Sequence, residues 1–283
     1  MPSPSSSSAS TSSEILDFLK EVYQSSHFDD SENDRDPIDE LGGPGRLPSG
    51  LQRPFVTLTY AQSLDGKIAG SGGRQLRLSG NPSLKMTHLL RAKHDGILVG
   101  VGTVLNDDPQ LTARNLAIPV PLEKQPQPIV LDTSLRTPPD CKLIRNYQNQ
   151  TGKQPWFICA RSAISLPDRQ RLEGAGARVI PIINAMNDSK DGLDLEKVLQ
   201  VCKINRINRL MIEGGSAIIS SFLNHVSNTP LLNILIITVS PYIVGEGVGI
   251  HATSDSLCLL RHVQTRLIGS DSVFAYTTSS GIE

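Results

Sequence analysis

Apolar and polar positions along this chain fall into two alternating rhythms. Short apolar, β-branched runs at 54–60, 96–101, 128–132, 155–160, 177–182, 209–215 and 231–239 read as strands. Between several of them lie segments with helical spacing, about 82–94, 165–174, 194–205 and 215–227. In the third, Asp194 is placed to cap a helix whose apolar stripe is Leu195, Val198, Leu199 and Cys202. Strand–helix alternation predicts an α/β fold with a mostly parallel central sheet and helices on both faces. The last two runs, near 257–268 and 272–278, predict an antiparallel C-terminal hairpin. Gly269-Ser270-Asp271-Ser272 supplies its turn.

The first 50 residues follow neither rhythm. Eight of the first 13 are serine. Residues 14–23 (EILDFLKEVY) place Ile15, Phe18, Leu19 and Val22 at i, i+3, i+4 and i+7, which predicts a short helix capped by Ser13. That helix can be a docking element or a nascent helix in a flexible arm. Residues 29–40 are acidic and 41–50 are rich in Gly and Pro. Such composition buries too little apolar surface to offset ordering entropy. The expected organisation is therefore a low-complexity arm over 1–50 and one catalytic domain over 51–283.

Composition then removes several function classes. The chain has 283 residues and a net charge of −1, which argues against a basic nucleic-acid binder. Aromatic residues make up 4%, too few for stacking surfaces along single strands. No apolar run approaches the roughly 18–20 residues of a membrane span, and no signal or transit peptide is evident. Cys141, Cys159, Cys202 and Cys258 are scattered without a C-x-x-C. This fits a reducing, cytoplasmic setting. The six histidines form no helical H-x-x-x-H or H-E-x-x-H, so no metal site is expected. The patterns G-x-G-x-x-G, G-x-x-x-x-G-K-[ST] and G-x-S-x-G are also missing, which removes a dinucleotide fingerprint, a P-loop and a nucleophile elbow.

Glycines cluster where strands end: Gly100 and Gly102, Gly214 and Gly215, then Gly245, Gly247 and Gly249. Such turns let backbone N–H groups approach a phosphate, and the helix after Glu213-Gly214-Gly215 presents a positive N-terminus. Ordinary turn chemistry is the alternative. Asp107-Asp108-Pro109 puts two carboxylates beside a rigid turn, with Leu111 and Arg114 following. These suit a ribose or ammonium group and a phosphate, or else form a solvated acidic turn. Ser63-Leu64-Asp65-Gly66-Lys67 is either a ligand-facing segment or a plain hairpin, and Arg91 ends an apolar helix face.

Five blocks, in order over about 53–278, resemble the reductase domain of riboflavin biosynthesis. They are AQSLDGKIA, LLRAKHDGILVGVGTVLNDDPQLTAR, PIVLDTSLRTP, IEGGSAIISSFL and SPYIVGEGVGI. The match is to the stand-alone fungal and archaeal type. It implies a dihydrofolate-reductase-like fold, a homodimer, and NADPH as cofactor. The implied reaction is reduction of the ribosyl side chain of 2,5-diamino-6-ribosylamino-4(3H)-pyrimidinone 5′-phosphate to the ribitylamino product.

The resemblance also assigns residues. Thr103, Asp107, Glu213, Gly214, Gly215, Ser216 and Ala217 correspond to cofactor contacts, and Ala61, Arg77 and Ile180 to further ones. Gln75, Arg91, Leu111 and Arg114 correspond to substrate-side positions. The pattern names no agreed general acid; Asp107 or a bound water is expected to handle the proton, and Lys67 to help orient the ligand. Three features depart from the pattern: the N-terminal extension, Arg77 where bacterial relatives often carry an aromatic residue, and a long run from Ile118 to Gln127. The rival readings are a same-fold reductase acting on the deaminated compound or a pteridine, and a catalytically silent nucleotide-binding module.

Charge divides with the chain. Ten acidic and three basic residues precede position 51, so the remainder carries 24 basic and 18 acidic ones. The expected domain is thus net +6, which suits phosphorylated ligands.

Overall fold

In a computed structural model, the described residues are 5–24, 52–183, 192–224, 231–251 and 260–278. The acidic and Gly/Pro-rich stretch, and the ends of the expected helix at 225–227 and strand at 257–259, lie outside them.

Chain order begins with α1 (Ser5–Gln24), β1 (Phe55–Gln62), β2 (Lys67–Gly70), α2 (Asn81–Ala92), β3 (Gly96–Gly100) and α3 (Val101–Asp107). It continues with β4 (Gln127–Leu131), α4 (Lys142–Gln148), β5 (Trp156–Ala160), α5 (Leu166–Gly174), β6 (Arg178–Ile182) and α6 (Leu195–Ile204). It closes with β7 (Arg209–Gly214), α7 (Ser216–Asn224), β8 (Ile234–Val239), β9 (Gly247–Gly249), β10 (Leu260–Ile268) and β11 (Asp271–Thr278).

Nine strands form one sheet in the order β10-β11-β8-β1-β7-β3-β4-β5-β6. Every pairing from β8 across to β6 is parallel. β11 alone runs against the others, between β8 and β10. The expected mostly parallel sheet with an antiparallel C-terminal hairpin is what the chain adopts. β2 and β9 make a separate two-stranded antiparallel sheet.

Successive strand residues feed opposite layers, because side chains alternate across a pleat. Phe55, Ile97, Val99, Val130, Phe157 and Met211 face the layer holding α1 to α5. Val56, Leu98, Ile129, Leu131, Ile158 and Ile212 face the layer holding α6 and α7. Each central strand therefore has no polar face to show, which explains the unbroken apolar runs.

The N-terminal helix belongs to this core rather than lying apart from it. It is longer than the expected 14–23, and Ile15, Phe18, Leu19, Val22 and Tyr23 are all buried. They join one cluster with Met86 and Leu90 of α2 and Ile268, Val273 and Ala275 of the hairpin. Polar contacts ring the seam: Lys85 Nζ donates to Ser12 Oγ at 2.6 Å, and Arg266 lies 3.5 Å from Glu21.

Tyr23 ends the helix at a buried polar cluster. His94 Nδ1 donates to the Leu90 carbonyl at 2.6 Å. Nε2 is thus left to accept, from the Thr57 hydroxyl at 3.0 Å or the Tyr23 hydroxyl at 3.5 Å. Burial pushes His94 down to about 4, outweighing the Leu90 hydrogen bond. The unfolded chain binds a proton near pH 6.5 and the native one does not, so stability present above that pH drains away as pH falls toward 4. This one group contributes on the order of 3 kcal/mol to that loss. Equilibrium urea unfolding between pH 7 and 4 should show it, and His94→Gln should flatten the pH dependence in that window.

Two short helices and one sheet were not evident from the pattern. α3 begins in the glycine turn after β3 and has only seven residues, two of them (Val101 and Val104) buried. α4 is equally short. Neither is long enough for helical periodicity to register. The β2–β9 pair joins residues some 180 positions apart, beyond any local signal.

Candidate active site

The C-terminal ends of β1, β3, β4 and β7 open into one cleft of about 1150 Å³. That end of a parallel sheet is where ligands bind in α/β folds. Tyr60 and Ala61 line it from β1, Gly100 to Thr103 from the β3–α3 junction, Leu131 and Thr133 from β4, and Glu213 and Gly215 from β7. Ile68, Ala69 and Val248 of the small sheet form one wall, and the segment 72–79 forms the rim.

Glycine is demanded at two of these strand ends. Gly214 has φ +112°, which side-chain-bearing residues rarely adopt. At Gly100 a Cβ would sit 2.7 Å from Ile218 Cγ1 of α7, so that helix could not pack this close to β3. A Cβ on Gly215 would lie 3.3 Å from Thr103 Oγ1, which sets that hydroxyl directly against the Gly215 backbone. α7 then starts at Ser216, with its first N–H groups turned toward the cleft end.

The carboxylate pair separates. Asp107 closes α3 inside the cleft, where burial raises its carboxyl pKa. Asp108 takes φ +40° and turns away, accepting the Lys142 N–H at 2.6 Å and Arg145 Nη2 at 2.9 Å. Only Asp107 of the two serves the cleft.

Glu213 faces the cleft on one side and a buried cation on the other. Arg91 Nε and Nη2 both donate to its carboxylate at 2.7 Å, and Arg91 Nη1 donates to the Thr112 carbonyl at 3.1 Å. The two side chains are 12% and 15% exposed. A forked pair of this kind fixes both groups in orientation.

Of the expected site residues, Ala61, Gln75, Arg77, Thr103, Asp107, Glu213, Gly215, Ser216 and Ala217 line this one cleft, and Gly214 directly precedes it. Five do not. Arg91 and Arg114 stand behind Glu213, and Leu111 is a core residue at φ +49°. Ile180 sits on the edge strand β6, packed against the α6–α7 layer. Lys67 is absent from the lining, and its backbone N–H donates to Ser63 Oγ at 2.9 Å.

Asp65 is a loop clamp. It accepts from Ser63 Oγ and from the N–H groups of Val244 and Gly245, which hold its carboxyl well below the usual carboxylate range. It ties the β1–β2 turn to the segment before β9.

Thr133 and Arg136 are cleft residues that sequence reasoning left without a role. Buried Asp132 shapes their turn by accepting the N–H groups of Arg136 and Thr137 and the Thr137 hydroxyl. The signal was the block LDTSLRTP, whose Asp and Arg sit four residues apart. Among the described residues no group of three His, Cys, Asp or Glu is placed to hold a metal.

Comparison with known proteins adds the following. The sequence profile of the RibD C-terminal domain matches residues 54–274. A 2,5-diamino-6-ribosylamino-4(3H)-pyrimidinone 5′-phosphate reductase from Debaryomyces hansenii is 36% identical over 201 residues, covering 69% of this chain and 77% of its own. The riboflavin biosynthesis protein RibD of Aquifex aeolicus is 30% identical over 230 residues, and this chain spans 58% of its length. Among solved structures, the riboflavin biosynthesis reductase of Saccharomyces cerevisiae superimposes with a TM-score of 0.63 at 26% identity, covering 82% of this chain and 93% of that one.

Proposed function

This chain belongs to the RibD C-terminal domain family, with its dihydrofolate-reductase-like α/β fold, and from that premise we propose that it is an NADPH-dependent reductase of the riboflavin pathway. Its substrate in this reading is 2,5-diamino-6-ribosylamino-4(3H)-pyrimidinone 5′-phosphate, the compound named for the Debaryomyces hansenii relative. The observation that carries the reading is the meeting of Thr103, Asp107, Glu213 and the Gly215–Ala217 turn in one cleft. Its volume of about 1150 Å³ exceeds the roughly 300–1,000 Å³ of a single small-molecule site. That leaves room for a dinucleotide and a second ligand side by side.

The residues present fit the cofactor. The Gly100–Gly102 and Gly215–Ala217 backbones, stripped of Cβ atoms where Thr103 and Ile218 approach, can receive a pyrophosphate at the start of α7. Thr133 and Arg136 offer a hydroxyl and a guanidinium at the β4 end for a further phosphate, which favours NADPH over NADH. When bound, NADPH supplies the hydride that the protein itself cannot. The chain contributes position, charge and a proton. Glu213, held by Arg91, presents a fixed carboxylate to the cleft, and the burial of Asp107 keeps a proton on its carboxyl to higher pH.

Mixing the protein with NADPH and the substrate should bleach the reduced-nicotinamide absorbance; no oxidation with this compound would end the reading. Faster turnover of the deaminated analogue would instead favour the rival substrate. Asp107→Asn should lower kcat by about 10²–10³ if this carboxyl delivers the proton. Full kcat with only a raised NADPH KM would leave Asp107 a binding residue.

A homodimer in the cytoplasm completes the proposal. Leu64, Tyr242 and Ile243 are exposed and adjoin one another, with the Leu64 N–H donating to the Tyr242 carbonyl at 2.7 Å, and they offer an apolar patch to a second copy. Cys141, Cys159 and Cys202 are buried free thiols, as a reducing compartment allows. No helix among the described residues is long and apolar enough to cross a membrane.

A further inference from the structure

The cleft wall made by β2 and β9 is thinly anchored. All of β9 and the first three residues of β2 are only half-buried. Apolar burial therefore does little to fix the angle at which this ribbon leaves the main sheet. Yet Ile68, Ala69 and Val248 line the cleft, and β2 runs into the rim that carries Gln75 and Arg77. The Gly70 N–H donates to the Arg74 carbonyl at 2.8 Å, so the rim is tied to the end of β2.

Asp65 supplies what burial does not. Its Oδ1 accepts from Ser63 Oγ at 2.6 Å and from the Val244 N–H at 3.0 Å, and its Oδ2 accepts the Gly245 N–H at 2.8 Å. The Leu64 N–H adds a further tie, to the Tyr242 carbonyl at 2.7 Å. The turn before β2 thus grips the segment before β9 with both carboxylate oxygens. The Ser63 hydroxyl, then the two backbone donors, keep the carboxyl ionised, so both oxygens remain acceptors. The strands themselves meet closely: a Cβ on Gly247 would lie 2.5 Å from the Ala69 carbonyl oxygen.

We propose that Asp65 is a positioning residue of the reductase, which latches the β2–β9 ribbon in the ligand-ready shape of the cleft and thereby sets the affinity for NADPH. The inference rests on the proposed cofactor in naming the ligand whose affinity is read. A ribbon in place for only about a tenth of the time would weaken binding about tenfold, because apparent affinity falls with the competent fraction. Once the ligand is bound the wall is in place, so turnover of the bound complex should change little.

Kinetics and amide exchange test it together. Asp65→Ala should raise the NADPH KM, and the NADPH Kd read by nicotinamide fluorescence, about tenfold, with kcat within about twofold of wild type. Asp65→Asn keeps the oxygen that serves Ser63 and Val244 but turns an NH2 group toward the Gly245 N–H, so it should fall between the two. Gly247→Ala forces the same two strands apart from the other side and should reproduce the split between KM and kcat. Amide exchange in Asp65→Ala should speed up about tenfold over residues 63–70 and 242–249 and stay unchanged in β3 and β7. Unchanged exchange over those two segments would overturn the latch. Wild-type KM and Kd for NADPH despite faster exchange would overturn its role in binding. Faster exchange that reaches β3 and β7 would make Asp65 a residue of general stability and overturn the proposal as well. If the wild type neither binds nor oxidises NADPH, the proposed function fails, while the exchange comparison still decides whether Asp65 holds the ribbon.

Discussion

A chain lacking residues 1–24 should fail to fold. Ile15, Phe18, Leu19, Val22 and Tyr23 are each no more than 1% exposed. Burying one such side chain contributes about 1.5–3 kcal/mol. Five together approach on the order of 10 kcal/mol, comparable to the roughly 5–15 kcal/mol that stabilises a whole domain. The loss compounds, because Phe55, Met86, Leu90, Val273 and Ala275 in the same cluster would be uncovered. The family match starts at residue 54, so this helix lies outside the matched region while packing on its core. Far-UV circular dichroism and urea titration of the truncated chain would check it. Phe18→Ala is the graded version, with an expected cost of about 3–5 kcal/mol. A truncated protein with the parent Cm would show the helix to be an appendage.

Glu213→Ala should cost both stability and activity. Arg91 is largely buried and depends on Glu213 for two of its three hydrogen bonds. Removing one partner of a buried pair leaves the other charge unpaired, typically at about 3–5 kcal/mol. The two effects can be separated. The double variant Arg91→Met with Glu213→Leu removes both charges, and well-packed apolar replacements of a buried pair are often neutral. It should regain most of the lost Cm while NADPH oxidation stays about 10²-fold or more below wild type. Restored activity in that double variant would mean that the pair serves the fold alone. An unchanged Cm in Glu213→Ala would mean that Arg91 finds another acceptor.

Particular residues show why some of this was legible and some was not. The central strands were readable because strands covered on both faces must be apolar throughout, as LMI in β7 and ILVG in β3 are. The glycine turn after β7 was readable because Glu213-Gly214-Gly215 concentrates a carboxylate and two unhindered backbones at one strand end. Asp107 and Asp108 looked alike, since adjacent carboxylates differ only in what the backbone does between them. A left-handed Asp108 sends one to the cleft and the other to α4. His88 and Arg91 gave no sign of their partners, which are 26 and 122 residues away.

By itself, then, the order of residues determined the α/β class, the hairpin at the end of the sheet and the glycine-built turns around the cleft. These depend on local periodicity and on steric limits that act within a few residues. The tertiary structure alone decided that the N-terminal helix is core and that Asp65 is a clamp. It also placed Arg91 behind Glu213 instead of in the cleft. Each of these turns on which distant surfaces meet, and burial, ion pairing and hydrogen-bond satisfaction have values only once that packing exists.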